Sequence, residues 1–344
     1  MTAPVVLVTG GAGFIGSHAC KALARAGFLP VTVDDLSGGA EHAVRWGPLQ
    51  RCDLRDRAGL DAVFRRHRPV AVLHFAGVIA VGESVAVPGK YYDRNVTTTL
   101  VLLEAMRAHG IDALVFSSSA AVYGDPECTP IPESHPLRPV NPYGRTKVMA
   151  EQMAADFAAA HGLRSLALRY FNASGADPDG ELGEDHEPET HLIPLALEAA
   201  AGTRTLSLFG TDFATPDGTC VRDYVHVADL AEAHVLAVRA LLSGRAGADA
   251  LNLGNGTGFS VRQVIDTVRA VTGRPFEVVT APRRAGDPPM LLADSTRARA
   301  ELGWRPRYPA LADQVAHAFA WFQLRRATTA ASADPRGYSN APSI

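Results

Sequence analysis

The sequence predicts an α/β protein in which a doubly wound parallel sheet is followed by a smaller α/β lobe. Three observations lead to this prediction. Short β-rich runs alternate with Ala-rich amphipathic stretches, a glycine-rich turn follows the first run, and the texture changes after residue 172. Strand and helix alternating at this spacing favour right-handed βαβ units, with helices on both faces of the sheet.

The first predicted domain occupies residues 1–171 and contains five β-rich runs. The runs are VVLVTG at 5–10, PVTVDD at 30–35, AVLHFAG at 71–77, ALVFSSS at 113–119 and SLALRYFN at 165–172. Helix-compatible stretches lie between them, namely FIGSHACKALARAG, LDAVFRRHR, LVLLEAMRAHG and the stretch that begins at NPYGRTK.

The second predicted domain occupies residues 172–326. It opens with ASGADPDGELGEDHEPET, which is too polar and broken for a sheet element and is predicted to be a loop or domain junction. Helix and strand patterns then alternate again as a smaller lobe. The last residues, 327–344, are predicted to form a disordered tail.

Composition excludes several classes of function. The chain has 344 residues, enough for two cores, and its formal net charge of -3 offers no field for nucleic acid or an anionic membrane. Four scattered cysteines without a CxxC motif are expected to be reduced thiols, and no metal site is predicted. Without a leader pattern or a run of ~20 apolar residues, the protein is expected to be cytoplasmic.

The glycine-rich turn predicts a dinucleotide site of the Rossmann type. TGGAGFIG at 9–16 spaces Gly10, Gly13 and Gly16 three apart, between the first strand and the first helix. Glycine is needed because the backbone takes unusual dihedral angles and closely approaches a pyrophosphate on the helix N-terminus. Asp34 follows Gly16 by eighteen residues and can accept from ribose hydroxyls, while its charge would repel a 2'-phosphate. NAD is therefore favoured over NADP.

Other strands also end in residues that suit a ligand crossing the sheet edge. The simpler interpretation of Asp34 and Asp35 is a capped loop, and that of His74 is a satisfied core histidine. The predicted cofactor-binding set comprises Gly10, Gly13, Phe14, Ile15, Gly16, Asp34, Asp35, Asp53, Leu54, Phe75, Ala76, Asn95, Ser117, Tyr143, Lys147 and Phe171.

NPYGRTK at 141–147 supplies a candidate acid/base group. Positions i and i+4 share a helix face, so Lys147 lies one turn from Tyr143 and can act on its phenol. A nearby ammonium and a positive nicotinamide favour the phenolate, which can take a proton from an alcohol. Ser119 could hold that hydroxyl in line. The plain alternative is a packed tyrosine and a solvated lysine.

Seven segments together resemble the extended short-chain dehydrogenase/reductase family, and within it the UDP-glucose 4-epimerase (UDP-galactose 4-epimerase) family. They are TGGAGFIGSH, HFAGVIAVGESV, FSSSAAVYGD, NPYGRTK, LRYFNASGA, GTCVRDYVHV and APRRAGD. The resemblance covers about residues 5–325. It implies interconversion of UDP-glucose and UDP-galactose in galactose metabolism, with a tightly held NAD that is not consumed. The 4-hydroxyl would be oxidised, the 4-keto sugar would rotate, and the hydride would return; similar enzymes are commonly homodimers.

The resemblance also implies a set of substrate-binding residues. Two arginines suit a diphosphate because a planar guanidinium donates two parallel bonds to phosphate oxygens, although surface arginines are more often solvated. The implied set is Ser119, Tyr143, Asn172, His191, Leu192, Ser207, Leu208, Phe209, Arg222, Arg284, Asp287 and Leu291.

At four positions the residue of this chain differs from that of similar enzymes, or lies at a site that varies among them. Ile79 stands where similar enzymes carry a lysine that reaches the cofactor. Arg94 replaces an asparagine, which leaves Asn95 as the expected cofactor neighbour, and His191 replaces an asparagine in the sugar-binding turn. Leu291 is intermediate between the bulky and small residues that govern room at sugar C2. We expect good activity on UDP-Glc/UDP-Gal and leave UDP-GlcNAc/UDP-GalNAc open.

Family members with other functions have a similar first half of the chain. A dehydratase needs an added acid/base pair beside the tyrosine, whereas this chain has Ala120 and Ala121 there. Decarboxylases and epimerases of UDP-uronic acids remain alternatives. A non-catalytic NAD or nucleotide-sugar sensor would be expected to lose Tyr143 or Lys147, and both are present.

Overall fold

The structure is a computed structural model. It describes residues 2–186, 188–245, 247–284 and 287–333. The strands are β1 Val5–Thr9, β2 Leu29–Asp34, β3 Leu49–Arg51, β4 Ala71–His74, β5 Ala113–Ser119, β6 Arg164–Tyr170, β7 Asn172–Ser174, β8 Leu206–Phe209, β9 Val221–His226, β10 Ala248–Leu253, β11 Gly258–Ser260, β12 Val278–Ala281 and β13 Met290–Leu291.

Helices alternate with these strands along most of the chain. They are α1 Phe14–Arg25, α2 Arg57–His67, α3 Val81–Ala86, α4 Pro88–Tyr91, α5 Thr98–Ala108, α6 Pro142–His161, α7 Leu192–Ala200, α8 Val227–Leu242, α9 Val261–Thr272, α10 Thr296–Leu302 and α11 Leu311–Ala333. A π-helical turn, Tyr92–Thr97, joins α4 to α5. None of the helices within the described ranges is long and apolar enough to cross a bilayer.

The larger lobe is built on a parallel sheet. Within the described residues it has seven strands in the order β10-β6-β5-β4-β1-β2-β3. The order reverses at β1, which pairs with β2 on one side and with β4 on the other. Ligands of open α/β sheets bind at the carboxyl ends of the strands, beside such a reversal. The predicted fold class is confirmed.

Both faces of this sheet are covered by apolar side chains. Val6 and Val8 of β1 pack on one face with Leu23 of α1, and Leu7 packs on the other face with Phe64 of α2. Successive strand residues point to opposite faces, so a strand that is buried on both sides is apolar throughout. This explains why VVLV shows no polar alternation.

Helix α6, which carries NPYGRTK, has clear start and stop signals. The Asn141 side chain caps its N-terminus by accepting a hydrogen bond from Gly144 N at 2.8 Å, and Pro142 occupies the first turn. The helix ends at Gly162, whose φ of 74° is the left-handed conformation that glycine adopts without strain. Residues 143 and 147 are therefore fixed in the first two turns.

Among the residues that the structure describes, the smaller lobe contains two short sheets. Strand β9 pairs with β7, β11 and β13 in one of them, while β8 pairs with β12 in the other. Helices α7, α9 and α11 bury a common core that includes Ile193, Val264 and Val315. This lobe is a smaller α/β unit that packs around its own core.

The chain crosses between the lobes more often than one boundary at residue 172 implies. Strand β10 completes the larger sheet by pairing with β6, and α8 packs against α1 and strands β4–β6. Residues 227–253 therefore belong with the larger lobe, because they cover one of its faces and extend its edge. Helix α11 continues to Ala333, into the stretch predicted as a tail from residue 327. The rest of that stretch, 334–344, lies outside the described residues.

Candidate active site

The glycine-rich turn is shaped by contacts that leave no room for side chains. Gly10 has a φ of 70°, and a Cβ atom on it would lie 2.6 Å from the backbone nitrogen of Ala76. A Cβ atom on Gly16 would lie 2.2 Å from the carbonyl oxygen of Gly10. Gly13 is the N-cap of α1, so the free N–H groups of the helix start face the end of β1. The turn is a cradle for a phosphate group.

Asp34, at the end of β2, fastens this turn to the sheet. Its carboxylate accepts hydrogen bonds from Ala12 N at 3.0 Å and from Leu36 N at 2.9 Å. Burial raises the pKa of Asp34, and these two N–H donors oppose the rise. A carboxylate has about four acceptor positions, so two bonds leave capacity for ribose hydroxyls.

Arg94 forms ion pairs with acidic residues at the ends of two strands. Its Nη1 donates to Asp35 Oδ2 at 2.7 Å and lies 3.8 Å from Asp53 Oδ2. Burial opposes the effect, but hydrogen bonds from Ser37 and Arg94 hold the pKa of Asp35 below its usual range. Arg94, which stands where similar enzymes carry an asparagine, thus links the segments that follow β2 and β3.

The remaining predicted cofactor residues occupy the same edge of the sheet. Leu54 is buried after β3, and Phe75 and Ala76 follow β4 directly. Asn95 is also buried, but its amide exchanges hydrogen bonds with the Val78 backbone and donates to Thr146 Oγ1 at 3.0 Å. It therefore holds the segment after β4 against α6. The side chain of Ile79 is 48% exposed.

Ser119, Tyr143 and Lys147 are brought together where α6 meets the end of β5. Lys147 Nζ donates to the carbonyl oxygen of Ser117 at 2.8 Å and lies 5.8 Å from the centre of the Tyr143 ring. The Tyr143 hydroxyl is hydrogen-bonded to the Ser119 side chain. Lys147 is only 4% exposed, so it is not the solvated lysine of the plain alternative, whereas the 9% exposure of Tyr143 fits a packed tyrosine under either interpretation.

Burial dominates the acidity of this group of side chains. It raises the pKa of Tyr143, against the lowering effect of the Ser119 hydrogen bond. It also lowers the pKa of Lys147 to about 8, which the Glu151 carboxylate opposes. Lys147 therefore stays largely protonated at pH 7, and the phenolate depends on positive charge beside it.

His74 lies beneath this group and is a core residue, as the sequence suggested. Its Nδ1 is 2.7 Å from Thr9 Oγ1, and its Nε2 is 3.0 Å from Thr99 Oγ1. Burial lowers its pKa to about 3, with a smaller contribution from Lys147. Because both ring nitrogens have partners and the ring stays neutral, His74 has no free group for catalysis.

In the smaller lobe, a cavity of about 540 Å³ opens between β7, α7 and α11. Three of the predicted substrate residues, Asn172, His191 and Leu192, line it, and Tyr224 does so as well. Asn172 on β7 stands opposite Tyr224 in the pairing with β9. The cavity therefore begins at the end of β6, beside Phe171.

Strand β8 presents only part of the predicted run to solvent. Ser207 and Phe209 are exposed, whereas Leu208 is 4% exposed and packs in the core of the smaller lobe. Consecutive strand side chains point in opposite directions, so Leu208 could offer a ligand its backbone but not its side chain.

The two predicted arginines converge on one carboxylate. Arg284 Nε donates to Asp287 Oδ2 at 2.9 Å, and Arg222 Nη2 lies 3.8 Å from Asp287 Oδ1. The Arg284 guanidinium also lies 5.1 Å from the centre of the Phe209 ring. Four predicted residues from β8, β9 and the segment before β13 are thus neighbours.

Leu291 connects this cluster to the larger lobe. In β13 it stands opposite Arg222 of β9, and it packs with Phe171, Val122 and Tyr123. Val122 and Tyr123 come shortly after Ser119 at the end of β5. The arginine cluster and the tyrosine group are therefore joined through Leu291.

The chain resembles known proteins over most of its length. Residues 6–254 match the model of the NAD dependent epimerase/dehydratase family. The chain belongs to this family. UDP-glucose 4-epimerase of Rhizobium meliloti is 54% identical over 93% of this chain and 97% of its own. The crystal structure of UDP-glucose 4-epimerase from Brucella ovis in complex with NAD has a TM-score of 0.91 at 52% identity, covering 93% of this chain and 98% of its own.

A further solved relative carries a nucleotide sugar. UDP-glucose-4-epimerase from Stenotrophomonas maltophila, with bound NAD and formylated UDP-arabinopyranose, has a TM-score of 0.90 at 41% identity, with coverage of 95% and 99%. The residues of this NAD-dependent epimerase/dehydratase fit the cofactor. The turn at Gly10 and Gly16 leaves space for a pyrophosphate, and Asp34 has acceptor capacity for a ribose.

One group of side chains in this family member was missed from the sequence. His191, which was predicted as a substrate-binding residue, has its Nδ1 hydrogen-bonded to Glu184 Oε1. The Glu184 hydrogen bond raises the pKa of His186 to about 9. For His191, burial acts to lower the pKa, but Glu184 and Glu189 raise it. The repeated spacing Glu-x-His at 184/186 and 189/191 is the signal that could have revealed the group.

We predict that Gly16→Ala abolishes stable NAD binding. The new methyl group would collide with the Gly10 carbonyl and displace the start of α1. NAD released on heat denaturation, measured per chain, should fall to a few per cent of wild type while far-ultraviolet circular dichroism stays unchanged. Gly82→Ala is the matched control, because a Cβ atom there would meet nothing within 4 Å. Wild-type NAD content in Gly16→Ala would refute the assignment of the turn.

Proposed function

We propose that this protein is a UDP-glucose 4-epimerase, which interconverts UDP-glucose and UDP-galactose through a 4-keto sugar. The observation that carries the proposal is the buried contact of Tyr143, Ser119 and Lys147 at the carboxyl edge of a sheet with a dinucleotide turn. The Brucella ovis and Rhizobium meliloti relatives are UDP-glucose 4-epimerases. Retention of both tyrosine and lysine argues against a sensor.

Tyr143 accepts and returns the proton of the sugar 4-hydroxyl. NAD, when bound, supplies the acceptor for the hydride from C4. Tyr143 takes the hydroxyl proton as the C4–H bond breaks, and Ser119 orients the same oxygen. After the 4-keto sugar has turned over, the hydride returns to the opposite face of C4 and Tyr143 gives the proton back to the oxygen, so no NAD is consumed.

Lys147 makes Tyr143 a usable base. Burial raises the pKa of the phenol, so the phenolate needs a positive charge nearby. Lys147 supplies it, since its pKa of about 8 leaves it largely protonated at neutral pH. The Ser117 carbonyl fixes the ammonium at 2.8 Å and keeps it on the tyrosine side of the sheet edge.

The nucleotide diphosphate is expected at Arg222 and Arg284. Both guanidinium groups already face one carboxylate, that of Asp287, so they can share a second anionic group. Phe209, close to Arg284, offers an aromatic face nearby. The cavity beside Asn172, His191 and Leu192 is continuous with the end of β6 and supports placement of substrate between the lobes.

We also propose that the enzyme acts as a cytoplasmic homodimer. All four cysteines, Cys20, Cys52, Cys128 and Cys220, are free thiols, as proteins of a reducing compartment have. Leu100 of α5 and Met149 of α6 are 38% and 39% exposed on two helices that pack together. Two apolar side chains on adjacent helices support a helix-to-helix contact between protomers.

Replacement of Tyr143 by phenylalanine should remove the acid/base group and leave the fold intact. We expect conversion of UDP-galactose to UDP-glucose, without added NAD, to slow by about 10²–10⁴-fold. Tyr308→Phe, a ring that packs on His226 away from the sheet edge, should keep the wild-type rate. A full rate in Tyr143→Phe would exclude it as the base; no conversion by the NAD-loaded wild type would exclude the proposed activity.

Leu291→Ala tests which side chain limits room at sugar C2. Because alanine is smaller, turnover of UDP-GlcNAc relative to UDP-glucose should rise by about tenfold or more. Val279→Ala on β12, at a 47% exposed position, should leave the ratio unchanged. An unaltered ratio in Leu291→Ala, or equal wild-type turnover of both sugar pairs, would contradict the assignment.

A homodimer through α5 and α6 predicts that introduced charge disrupts it. The double variant Leu100→Glu, Met149→Glu should run as a monomer in size-exclusion chromatography with light scattering, where wild type gives twice the chain mass. Val85→Glu on α3, 65% exposed, should remain dimeric. A monomeric wild type would disprove the homodimer, and a dimeric double variant would disprove the interface.

A further inference from the structure

Four potential metal ligands converge at the junction between the lobes. They are Glu184, His186, Glu189 and His191, termed here the Glu–His cluster, and their candidate ligand atoms all lie within 4.8 Å of one another. The residues form two Glu-x-His pairs in the segment that leads into α7. All four line the 540 Å³ cavity, so an ion can reach them.

Charged contacts of 3.2–3.8 Å already link the side chains of the Glu–His cluster, through both ring nitrogens of His186. Glu184 Oε1 is 3.2 Å from His186 Nε2, and Glu189 Oε2 is 3.7 Å from His186 Nδ1. Glu189 Oε1 is 3.8 Å from His191 Nδ1. Ligands bound to zinc at ~2.0–2.1 Å lie about 3.3–3.4 Å apart in a tetrahedron. The four candidate ligand atoms, which lie within 4.8 Å of one another, must therefore come closer by up to about 1.5 Å to bind one ion.

One nitrogen of the cluster has an unmet bonding capacity. His186 Nδ1 is buried and has no hydrogen-bond partner among the described residues. A buried polar atom without a partner is unfavourable, and a metal ion would satisfy it. The carboxylates of Glu184 and Glu189 form these ion pairs with the two imidazoles. In these contacts neither carboxylate is paired with a lysine or an arginine.

A neighbouring acidic group differs from the Glu–His cluster because it is already paired with a lysine. Asp177, Asp179 and Glu181 also converge, but Lys21 Nζ already lies 2.6, 2.8 and 2.6 Å from their carboxylates. An ammonium of the protein thus neutralises that group. The Glu–His cluster instead combines two carboxylates with two imidazoles, the nitrogen and oxygen donors that suit Zn²⁺.

The segment that carries the cluster is anchored on both sides. The Glu184 carbonyl oxygen accepts a hydrogen bond from Trp321 Nε1 at 3.1 Å, and Trp321 packs where a Cβ atom on Gly183 would be. Asp185 Oδ2 lies 2.6 Å from Arg325 Nη2 and 3.3 Å from His42 Nε2. These contacts hold the first Glu-x-His pair against α11 independently of the second pair.

We propose that the Glu–His cluster is a structural site for one Zn²⁺ or a similar transition-metal ion. The ion would crosslink the two Glu-x-His pairs, fix the N-terminus of α7, and hold the His191 ring at the wall of the cavity. This goes beyond the proposed epimerase activity, because it assigns a metal that the sugar chemistry does not require. Binding is measured without substrate, so its failure would leave the activity untouched.

The test uses the NAD-loaded protein without a histidine tag, after removal of metals with a chelator. Titration with ZnCl₂ against a chromophoric chelator at pH 8 should give one ion per chain. Titration with Co²⁺ should produce the strong visible absorption of a tetrahedral ion. His186→Ala should weaken Zn²⁺ binding by at least about 100-fold, since even loss of a partner behind a ligand costs about 10–100-fold.

Two further variants separate ligation from folding. Glu189→Gln keeps the shape of the side chain and should also lose the tetrahedral Co²⁺ spectrum. His42→Ala removes a histidine that pairs with Asp185 outside the ligand set, and should bind Zn²⁺ as wild type does. Absence of stoichiometric binding by wild type would overturn the proposal. So would full binding in both ligand variants, or an equal loss in His42→Ala.

Discussion

A buried ammonium group holds helix α6 against the carboxyl end of strand β5. Lys147 is 4% exposed, and moving such a charge out of water is costly unless it finds partners. It finds the Ser117 carbonyl at 2.8 Å and the face of Phe116, whose centre lies 4.9 Å away. Both partners belong to β5. Since Lys147 can meet them only when α6 lies across that strand, the position of Tyr143 depends on this contact.

The same junction is reinforced by a second buried ion pair. Arg169 of β6 donates to Glu151 of α6, and Ser118 of β5 donates to the same carboxylate. Arg169 also donates to the Tyr123 hydroxyl, which in turn donates to Asn252 of β10. Breaking a buried pair by removing one partner is strongly destabilising. The network therefore ties α6 to three neighbouring strands and gives the tyrosine a rigid support.

Local patterns in the sequence were sufficient for the parts of the site that arise from one βα unit. Gly10, Gly16 and Asp34 follow from a turn and the next strand, and Tyr143 with Lys147 follows from helix periodicity. The return of β10 to the larger sheet could not be predicted, because a six-residue strand of mixed polarity suits either sheet equally well. Pairing between segments far apart in sequence leaves no periodic signal.

Two other features were not predicted, for different physical reasons. The resemblance covers residues 207–209 as a run, whereas strand geometry turns every second side chain inward and leaves Leu208 only its backbone to offer a ligand. The Glu–His cluster was overlooked because polarity marked residues 173–190 as loop, and loops can still be ordered by charge pairs. Its one predicted member, His191, was treated as a single residue, without the carboxylates that face it.

The repeated crossing of the chain between the lobes determines how the cleft can move. At least three connections join them: one leads from β6 to β7, one from β9 to α8, and one from β10 to β11. A single linker would allow one lobe to swivel freely, whereas three connections restrict the motion of one lobe relative to the other. The lobes also could not be produced as separate fragments, since a chain cut at residue 172 would lose strand β10 and the helix that covers α1. Restricted motion of the lobes suits a reaction in which the sugar must turn over while its nucleotide stays in place.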